Sequence, residues 1–350
     1  MNTKKLFALA AISCCASLAQ AADSITVYGL IDAGLTRYSN AGAAGGSKPQ
    51  IKMDTGIANG NRIGFTGQDH LNGDVDAFFT LETGYSVDDG ALAQGGLLFG
   101  RQAFVGLRNA FGSVSVGRQY DFMINENAYS TGVATVAGLL AFGLHQSGRT
   151  AGLLNDHTYA GDRVNNSIKF ESQKFAGWSL GALYGLGEVA GNSAAGRTYS
   201  ARVAYDNGPA SAGLALTDLR DAAGVYATRI YGLGGSYQLD SVRPFALLTQ
   251  VKNNAGMQPK ANNYEIGANW SATPVVDLGA GLQRQTRNNN IRSANQLTLV
   301  VNYKLSKRTN VYAAGAFLRD QGYPAQTTTF GAVSSDGTQN ALRIGIRHTF

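Results

Sequence analysis

From residue 25 to its end at residue 350, this chain alternates apolar and polar side chains with a period of two, segment after segment. Successive side chains of a β-strand point to opposite faces, so this period sorts a sequence onto the two faces of a sheet; a helix needs a period near 3.6. Trp178, Leu180, Ala182, Tyr184 and Leu186 oppose Ser179, Gly181 and Gly185. Tyr199, Ala201, Val203 and Tyr205 oppose Thr198, Ser200 and Arg202, and Tyr264, Ile266, Ala268 and Trp270 oppose Asn263, Glu265, Gly267 and Asn269. Leu297, Leu299, Val301 and Tyr303 follow the same rule. Val164, Ile168 and Phe170 are read onto one face, with Arg163, Asn165, Ser167, Lys169 and Glu171 on the other. Sixteen such segments begin near 25, 62, 75, 100, 112, 163, 178, 197, 210, 225, 243, 263, 275, 294, 309 and 340. The fold class is all-β.

The connections alternate as well. Leu71-Asn72-Gly73-Asp74, Asp206-Asn207-Gly208-Pro209, Ala272-Thr273-Pro274 and Ser306-Lys307-Arg308 read as tight turns. The intervening stretches 39–61, 86–99, 187–196, 253–262, 285–293 and 319–339 are longer, polar and glycine-rich. Short turns at one end and long loops at the other, joining alternating strands of about ten residues, are the pattern of a transmembrane antiparallel β-barrel. Aromatics near the strand ends (Tyr38, Tyr85, Phe175, Trp178, Trp270, Tyr303, Tyr312, Tyr323) are expected at the membrane interfaces. A large soluble β-sandwich is the competing architecture. Its alternation would point into a dry core, whereas the polar partners here are Gly, Ser, Thr and Asn with scattered arginines, which suits a wet lumen. Closing the sheet also removes edges that lipid does not tolerate.

Composition narrows the reading further. Charged residues are 15% of the chain against roughly 25% in ordinary domains, and 45 of the 350 residues are glycine. Mean hydropathy is −0.11. Beyond the N-terminus there is no uncharged apolar run long enough for a spanning helix, which takes about 18 residues. Lys4 and Lys5, the apolar stretch from Leu6 and the small-residue pattern Ala19-Gln20-Ala21 predict a signal peptide over 1–21 that is cleaved, leaving one barrel domain over 22–350. Both cysteines, Cys14 and Cys15, lie inside that peptide; acylation of one of them in a lipoprotein is the alternative. The mature chain then carries no cysteine, and 27 basic against 23 acidic side chains, a net charge of +4. In the terminal strand from Leu342 to Phe350 the apolar residues alternate, and the last residue is a free aromatic. Phe350 is therefore the candidate signal for the outer-membrane assembly machinery.

Particular residues now carry a family resemblance. Val27-Tyr28-Gly29-Leu30-Ile31-Asp32 resembles the first strand of Gram-negative general porins, as do Arg62-Ile63-Gly64-Phe65-Thr66-Gly67 and the stretch from Ala77 to Gly84 in their order. The runs from Phe99 to Leu107 and from Phe111 to Tyr120 look like the fourth and fifth strands. The ending Gly345-Ile346-Arg347-His348-Thr349-Phe350 extends the resemblance over the whole mature chain. It implies a sixteen-stranded homotrimer in the outer membrane, each subunit passing small hydrophilic solutes and ions through its own water-filled pore. It implies that the third loop, here about 121–162, folds into the lumen, and that the second, about Ser86 to Leu98, reaches a neighbouring subunit.

The resemblance also implies a cluster of arginines on the barrel wall facing acids on the folded loop. The matching wall positions are Arg62, Arg101 and Arg163. Parity supports Arg62, opposite in phase to Ile63 and Phe65, and Arg163, opposite to Val164, Ile168 and Phe170; Arg101 shares a face with Ala103 and Val105, so only the motif places it. A basic position in the family's first strand is Leu30 here. The family's acidic loop-tip motif is absent, which leaves Glu126 and Asp156 as the facing acids. Guanidinium groups stay ionised at any relevant pH, so such a constriction favours anions modestly.

Catalysis finds little support. His70 sits beside Asp69 in a tight turn, and His145 and His157 lie in the long connection near Ser147 and Asp156, without a nucleophile turn or fixed spacing. His348 is near the end. No catalytic residue, metal or cofactor is predicted: no cysteine remains after export, no histidine pair has metal-binding spacing, and no glycine pattern cradles a phosphate. The dispersed charge makes no nucleic-acid patch. A substrate-selective channel, and a plugged surface receptor or adhesin barrel, remain as alternatives; the inward Phe78 and Tyr312 alone do not make an aromatic slide.

Overall fold

Each alternating segment pairs antiparallel with the next in sequence, and the last returns to the first. The computed structural model describes residues 24–43, 46–71, 73–123, 163–254, 260–287, 292–321, 327 and 333–350. Its strands are β1 (Ser24–Ala43), β2 (Gly46–Thr55), β3 (Arg62–His70), β4 (Asp76–Gly84), β5 (Gln102–Asn109), β6 (Gly112–Tyr120), β7 (Arg163–Ser172), β8 (Trp178–Gly185) and β9 (Thr198–Asn207). They continue with β10 (Ala210–Arg220), β11 (Ala227–Tyr237), β12 (Val242–Asn253), β13 (Lys260–Thr273), β14 (Val276–Arg287), β15 (Arg292–Lys304), β16 (Thr309–Asp320) and β17 (Thr338–Thr349). β17 closes the ring on β1, from Leu30 opposite Thr349 to Tyr38 opposite Ala341.

The seventeen strands make sixteen staves. β1 pairs along one edge with both β2 and β3: Ala33 lies opposite Thr55, and Leu30 opposite Arg62. Over that step β1 advances three residues and its partner seven. β2 and β3 are thus one stave, and residues 56–61 are an insertion at its middle. An even stave number lets all neighbours run antiparallel with both chain ends on the same rim.

Polarity is inverted relative to a soluble protein. Leu35 and Ile344 are 59% and 72% exposed, while the adjacent Thr36 and Arg343 are 0% and 2% exposed. The same contrast separates Ile266 from Glu265, Leu297 and Leu299 from Thr298, and Leu216 from Thr217. A continuous apolar exterior of this extent matches hydrocarbon rather than water. Side-chain oxygens close the tight turns. Asn109 accepts from the amides of Phe111 and Gly112 at 2.9 and 3.3 Å. Thr273 does so for Val275 and Val276, and Ser306 for Arg308 and Thr309. At the closing seam, Gly29 and Phe350 exchange main-chain hydrogen bonds of 2.9 and 3.1 Å. A Cβ on residue 29 would come within 2.2 Å of the Phe350 ring, so glycine is required there.

Three features depart from the sequence expectations. The stretch 39–61 is not a loop: β1 runs on to Ala43 and hairpins into β2. Ile51 and Met53 face outward and Lys52 and Asp54 inward, but the short run after Ser47-Lys48-Pro49-Gln50 masks that alternation. Pro49 is tolerated because β2 is hydrogen-bonded only to β1 among the described residues, and an edge strand does not need every donor. Second, Val164 does not share a face with Ile168 and Phe170. A bulge at Asn166, whose φ is +51°, adds a residue to β7 and inverts the phase, so Val164 packs inside against Gly185. Third, Tyr38 and Tyr312 are interior rather than interfacial, at 0% and 6% exposure, whereas Phe175, Trp178, Trp270 and Tyr303 do face outward. Tyr323 lies outside the described residues.

Two inward segments sit within the ring. The amides of Ala58 and Asn59 donate to Asp32 Oδ2 at 2.6 and 3.2 Å, pinning the insertion at 56–61 to the inner wall. On the other side of the ring the chain leaves β6 through Asp121, Phe122 and Met123, all at 0% exposure. The Phe122 ring lies between Lys169 Nζ and the Arg202 guanidinium, 4.6 and 5.2 Å from its centre, over a spot that a side chain on Gly181 would occupy. The rest of the 121–162 connection, with Glu126 and Asp156, lies outside the described residues.

Two outcomes follow. Leu299→Arg, on the outer face at the middle of β15, is expected to destabilise the lipid-reconstituted barrel by about 2–4 kcal/mol, against about 0–1 kcal/mol for Tyr303→Arg near the strand end. Denaturant titration of both variants measures the difference. Asp32→Ala leaves the Arg343 guanidinium buried without its carboxylate and should cost about 3–5 kcal/mol in the same assay.

Candidate functional site

The inner wall gathers its charges where β1, β3, β4, β5 and β17 meet. Arg62 opens β3 in opposite phase to the outward Ile63 and Phe65, so its side chain enters the lumen. Its Nε is buried and has no hydrogen-bond partner among the described residues. Arg101 lies in a bend just before β5, and that bend frees it from the outward phase of Ala103 and Val105. Its Nε donates to Glu82 Oε1 at 2.6 Å, in a pair whose side chains are 10% and 3% exposed. The Tyr28 hydroxyl donates to the other oxygen of Glu82 at 2.9 Å. The far end of Arg101 rests against Gly60, part of the inward insertion.

Arg163 opens β7. Its Nη2 donates to the Tyr120 hydroxyl at 2.8 Å, and its guanidinium lies 4.7 Å from the centre of that ring. The phase expected from the sequence does not hold here: the bulge at Asn166 turns Val164 inward, so alternation no longer puts Arg163 on the inner face, and it is its contact with Tyr120, itself close to Arg101, that draws it toward this sector. It feels the charges of Arg101 and Glu82, which brings all three sequence-selected arginines to one sector of the wall with Glu82 among them. Glu126 and Asp156 cannot be placed, since both lie outside the described residues. Leu30 faces inward and is buried, so the first strand brings Asp32 rather than a cation to this sector.

Two further arginines complete the cluster. Arg343 is held by Asp32 at 3.5 Å, by the Tyr312 and Thr36 hydroxyls at 2.7 and 3.0 Å, and by the Asp54 carbonyl at 3.2 Å. The Tyr312 hydroxyl itself donates to Asp32 at 2.7 Å. Arg347 donates to Asn310 at 3.0 Å and to Asn59, and feels the charges of Asp32 and Arg62. Their signal was present in the sequence: both alternate with Leu342, Ile344 and Ile346, the parity that marks Arg62 as inward. Glu82 and Asp32 are equally readable as inward wall positions, whereas the family resemblance points to acids on the loop.

The charges divide into two kinds. Arg101 and Arg343 are each matched by a buried carboxylate. Arg62 and Arg347 have no ion-pair partner among the described residues, so they leave a positive surplus facing the lumen. Elsewhere on the wall cations stand beside carboxylates. Lys169 and Arg202 share Glu171 at 3.7 and 3.2 Å, and Arg287 makes a two-pronged contact with Asp320 at 3.0 and 2.7 Å. His70 pairs with Asp76 at 2.9 Å on the tight-turn rim, where Asp76 also holds Arg108 at 3.1 Å. That arrangement ties three side chains together and presents no nucleophile.

Comparison with known proteins agrees with this geometry. A family model described as Gram-negative porin matches residues 8–323. Outer membrane porin protein 32 of Delftia acidovorans is 30% identical over 364 aligned positions, covering 99% of each chain. An outer membrane porin protein of Bordetella pertussis is 27% identical, covering 99% of this chain and all of that one. Among solved structures, the anion-selective porin from Comamonas acidovorans superposes with a TM-score of 0.76 at 27% identity, over 93% of this chain and 99% of that one. An inverted sixteen-stave barrel, a polar lumen with buried charges, and relatives matched end to end make this chain a member of the Gram-negative porin family, an outer-membrane channel.

Proposed function

We propose that this porin passes small hydrophilic solutes and ions passively, with a modest preference for anions, and that Arg62, Arg101 and Arg163 form its charged constriction. The observation that carries the preference is the surplus of guanidinium over carboxylate in one sector of the inner wall, with Arg62 and Arg347 unmatched. Fixed charges beside a low-dielectric wall concentrate counter-ions and repel co-ions. Arg101 and Arg343 hold their carboxylates in place and contribute shape more than field. Transport draws on no energy source; the solute gradient drives it.

The connection 121–162 is proposed to narrow the lumen, with Glu126 and Asp156 as its acids near the arginines. Support comes from its first residues: the Phe122 amide donates to Ser200 Oγ at 3.0 Å and Asp121 accepts from Thr217 at 2.7 Å, both on the inner wall. The functional unit is proposed to be a homotrimer, with the stretch from Ser86 to Leu98 reaching a neighbour. Phe350 is proposed as the residue read by the outer-membrane assembly machinery; it ends the closing strand and its ring remains 42% exposed. The removal of residues 1–21 as a signal peptide completes the reading.

Reversal potentials across a salt gradient test the charge assignment. Arg62→Glu combined with Arg347→Glu should lower the anion-to-cation permeability ratio by roughly fivefold or more, the equivalent of about 1 kcal/mol of potential in the lumen. An unchanged ratio would remove these residues from the ion path. Shortening the 121–162 connection should raise single-channel conductance; the same conductance as the intact chain would place that segment outside the pore.

A further inference from the structure

The inner wall carries an apolar patch that the passage of ions does not use. On β5, Phe104 alternates with the outward Val105 and Leu107, so its ring enters the lumen. On β4, Phe78 lies opposite Gln68 of β3 and Gly106 of β5, in the same inward phase. Gly106 admits it: a Cβ there would come within 2.7 Å of the Phe78 ring, so that ring lies across β5. The two rings meet edge to face, with centres 6.0 Å apart and planes at 74°, and both residues remain partly exposed. Aromatic rings beside a few fixed polar groups are the usual lining of a small-molecule site.

Their height on the wall decides what those polar groups are. Thr66, Thr80 and Phe104 form one row across β3, β4 and β5, and Gln68, Phe78 and Gly106 form the next toward the tight turns. One row further, Arg108 lies opposite Asp76 and bonds it at 3.1 Å, with its guanidinium 5.7 Å from the centre of the Phe78 ring. That cation is already matched. In the other direction Gly64, Glu82 and Gln102 form the row above Phe104, and Arg62 opens the row beyond. Along β3, Arg62 therefore stands about 13 Å of rise above the level of Phe104, a span shared between a long guanidinium side chain and the arm of a small solute. Its Nε has no partner among the described residues.

From the arginine sector downward the wall thus presents an unmatched guanidinium, two aromatic rings and a neutralised ion pair. The solute complementary to that order has a negative head and a flat apolar body, which is a small aromatic carboxylate. Carboxylate oxygens suit the planar donors of guanidinium, and a ring gains from edge-to-face or offset contact with another ring beyond the area it buries. An aliphatic anion brings the head without the body. An aromatic amine brings the body with the wrong sign.

We propose that this patch is a binding subsite for aromatic carboxylates, the solute's ring lying against Phe104 and Phe78 and its carboxylate turned toward Arg62. The inference deepens the channel reading and rests on Arg62 as an unmatched cation of the lumen. Single-channel recording of the reconstituted protein tests it, through the interruptions of chloride current caused by phenylacetate, acetate or phenethylamine. Phenylacetate should interrupt the intact channel at a concentration roughly tenfold lower than either of the others, the equivalent of about 1.4 kcal/mol. Phe78→Leu with Phe104→Leu keeps apolar volume without the rings and should bring phenylacetate to the level of acetate, its stepwise conductance in potassium chloride showing that the barrel has folded. Phe65→Leu, on the outer face of β3, should leave the phenylacetate effect as it is. Should the double variant fail to fold, the comparison of the three solutes on the intact chain decides by itself. Equal interruption by phenylacetate and acetate, equal interruption by phenethylamine, or an undiminished phenylacetate effect in the folded double variant overturns the proposal. The reversal potential in potassium chloride separates the two readings: an intact channel without anion preference refutes the charge assignment, whereas an anion-preferring channel that treats phenylacetate like acetate refutes the subsite alone.

Discussion

Everything in this barrel depends on one requirement: inside hydrocarbon, every main-chain donor and acceptor must find a partner within the protein. An open sheet leaves two unpaired edges, and the only all-strand solution is a ring. The seam between β1 and β17 is therefore as structural as any core contact, and the mutual bonds of Gly29 and Phe350 complete it. Closure also dictates the alternation. One face of every strand meets lipid and the other meets the lumen, so a two-residue period extends through nearly the whole chain.

The same requirement relocates the polar chemistry. Charges that a soluble domain would place on its outside are forced inward, where each must be matched or left to act on the lumen. Asp32 shows the first course: it accepts from two main-chain amides and Tyr312 and faces Arg343, so one carboxylate holds together β1, the insertion at 56–61, β16 and β17. Arg62 and Arg347 show the second. Their lack of carboxylate partners leaves net field in the lumen, and the insertion that Asp32 anchors supplies the asparagine that positions Arg347. Structural neutralisation and functional surplus are thus built from neighbouring residues on one wall.

Most of the ring was legible because parity survives in strands that run without interruption. The starts at Arg62, Gly112, Arg163, Trp178, Ala210 and Thr309 fall where the alternation places them. It failed where a local insertion resets the phase. Asn166 bulges β7, so Val164 turned inside while Ile168 stayed out. The insertion at 56–61 splits one stave, and the polar start of β2 disguised its outer half as loop. Tyr38 was misplaced for another reason: proximity to a strand end says nothing about which face a ring occupies, and Tyr312, placed at an interface by that criterion but read as inward by parity, is inside. At the site, Arg62 was readable from phase and Arg101 only from its motif, because a bend turns it against phase onto Glu82. Arg343 and Arg347 were readable too. The acids were missed because they stand on the wall itself.

Conduction through this barrel requires that the polar face of the sheet line water and the apolar face line lipid. The two cysteines of the sequence, Cys14 and Cys15, precede the first strand, so single cysteines introduced into the strands can report on each face. Neighbouring positions in β3 give the sharpest contrast: Thr66 faces inward and bonds to the Phe79 carbonyl at 3.0 Å, while Phe65 faces out. A charged, membrane-impermeant thiol reagent applied to the reconstituted protein should modify Thr66→Cys and reduce its conductance, while leaving Phe65→Cys untouched. Rapid labelling of Phe65→Cys with Thr66→Cys protected would mean the faces are reversed, and the account of the channel would fail with them.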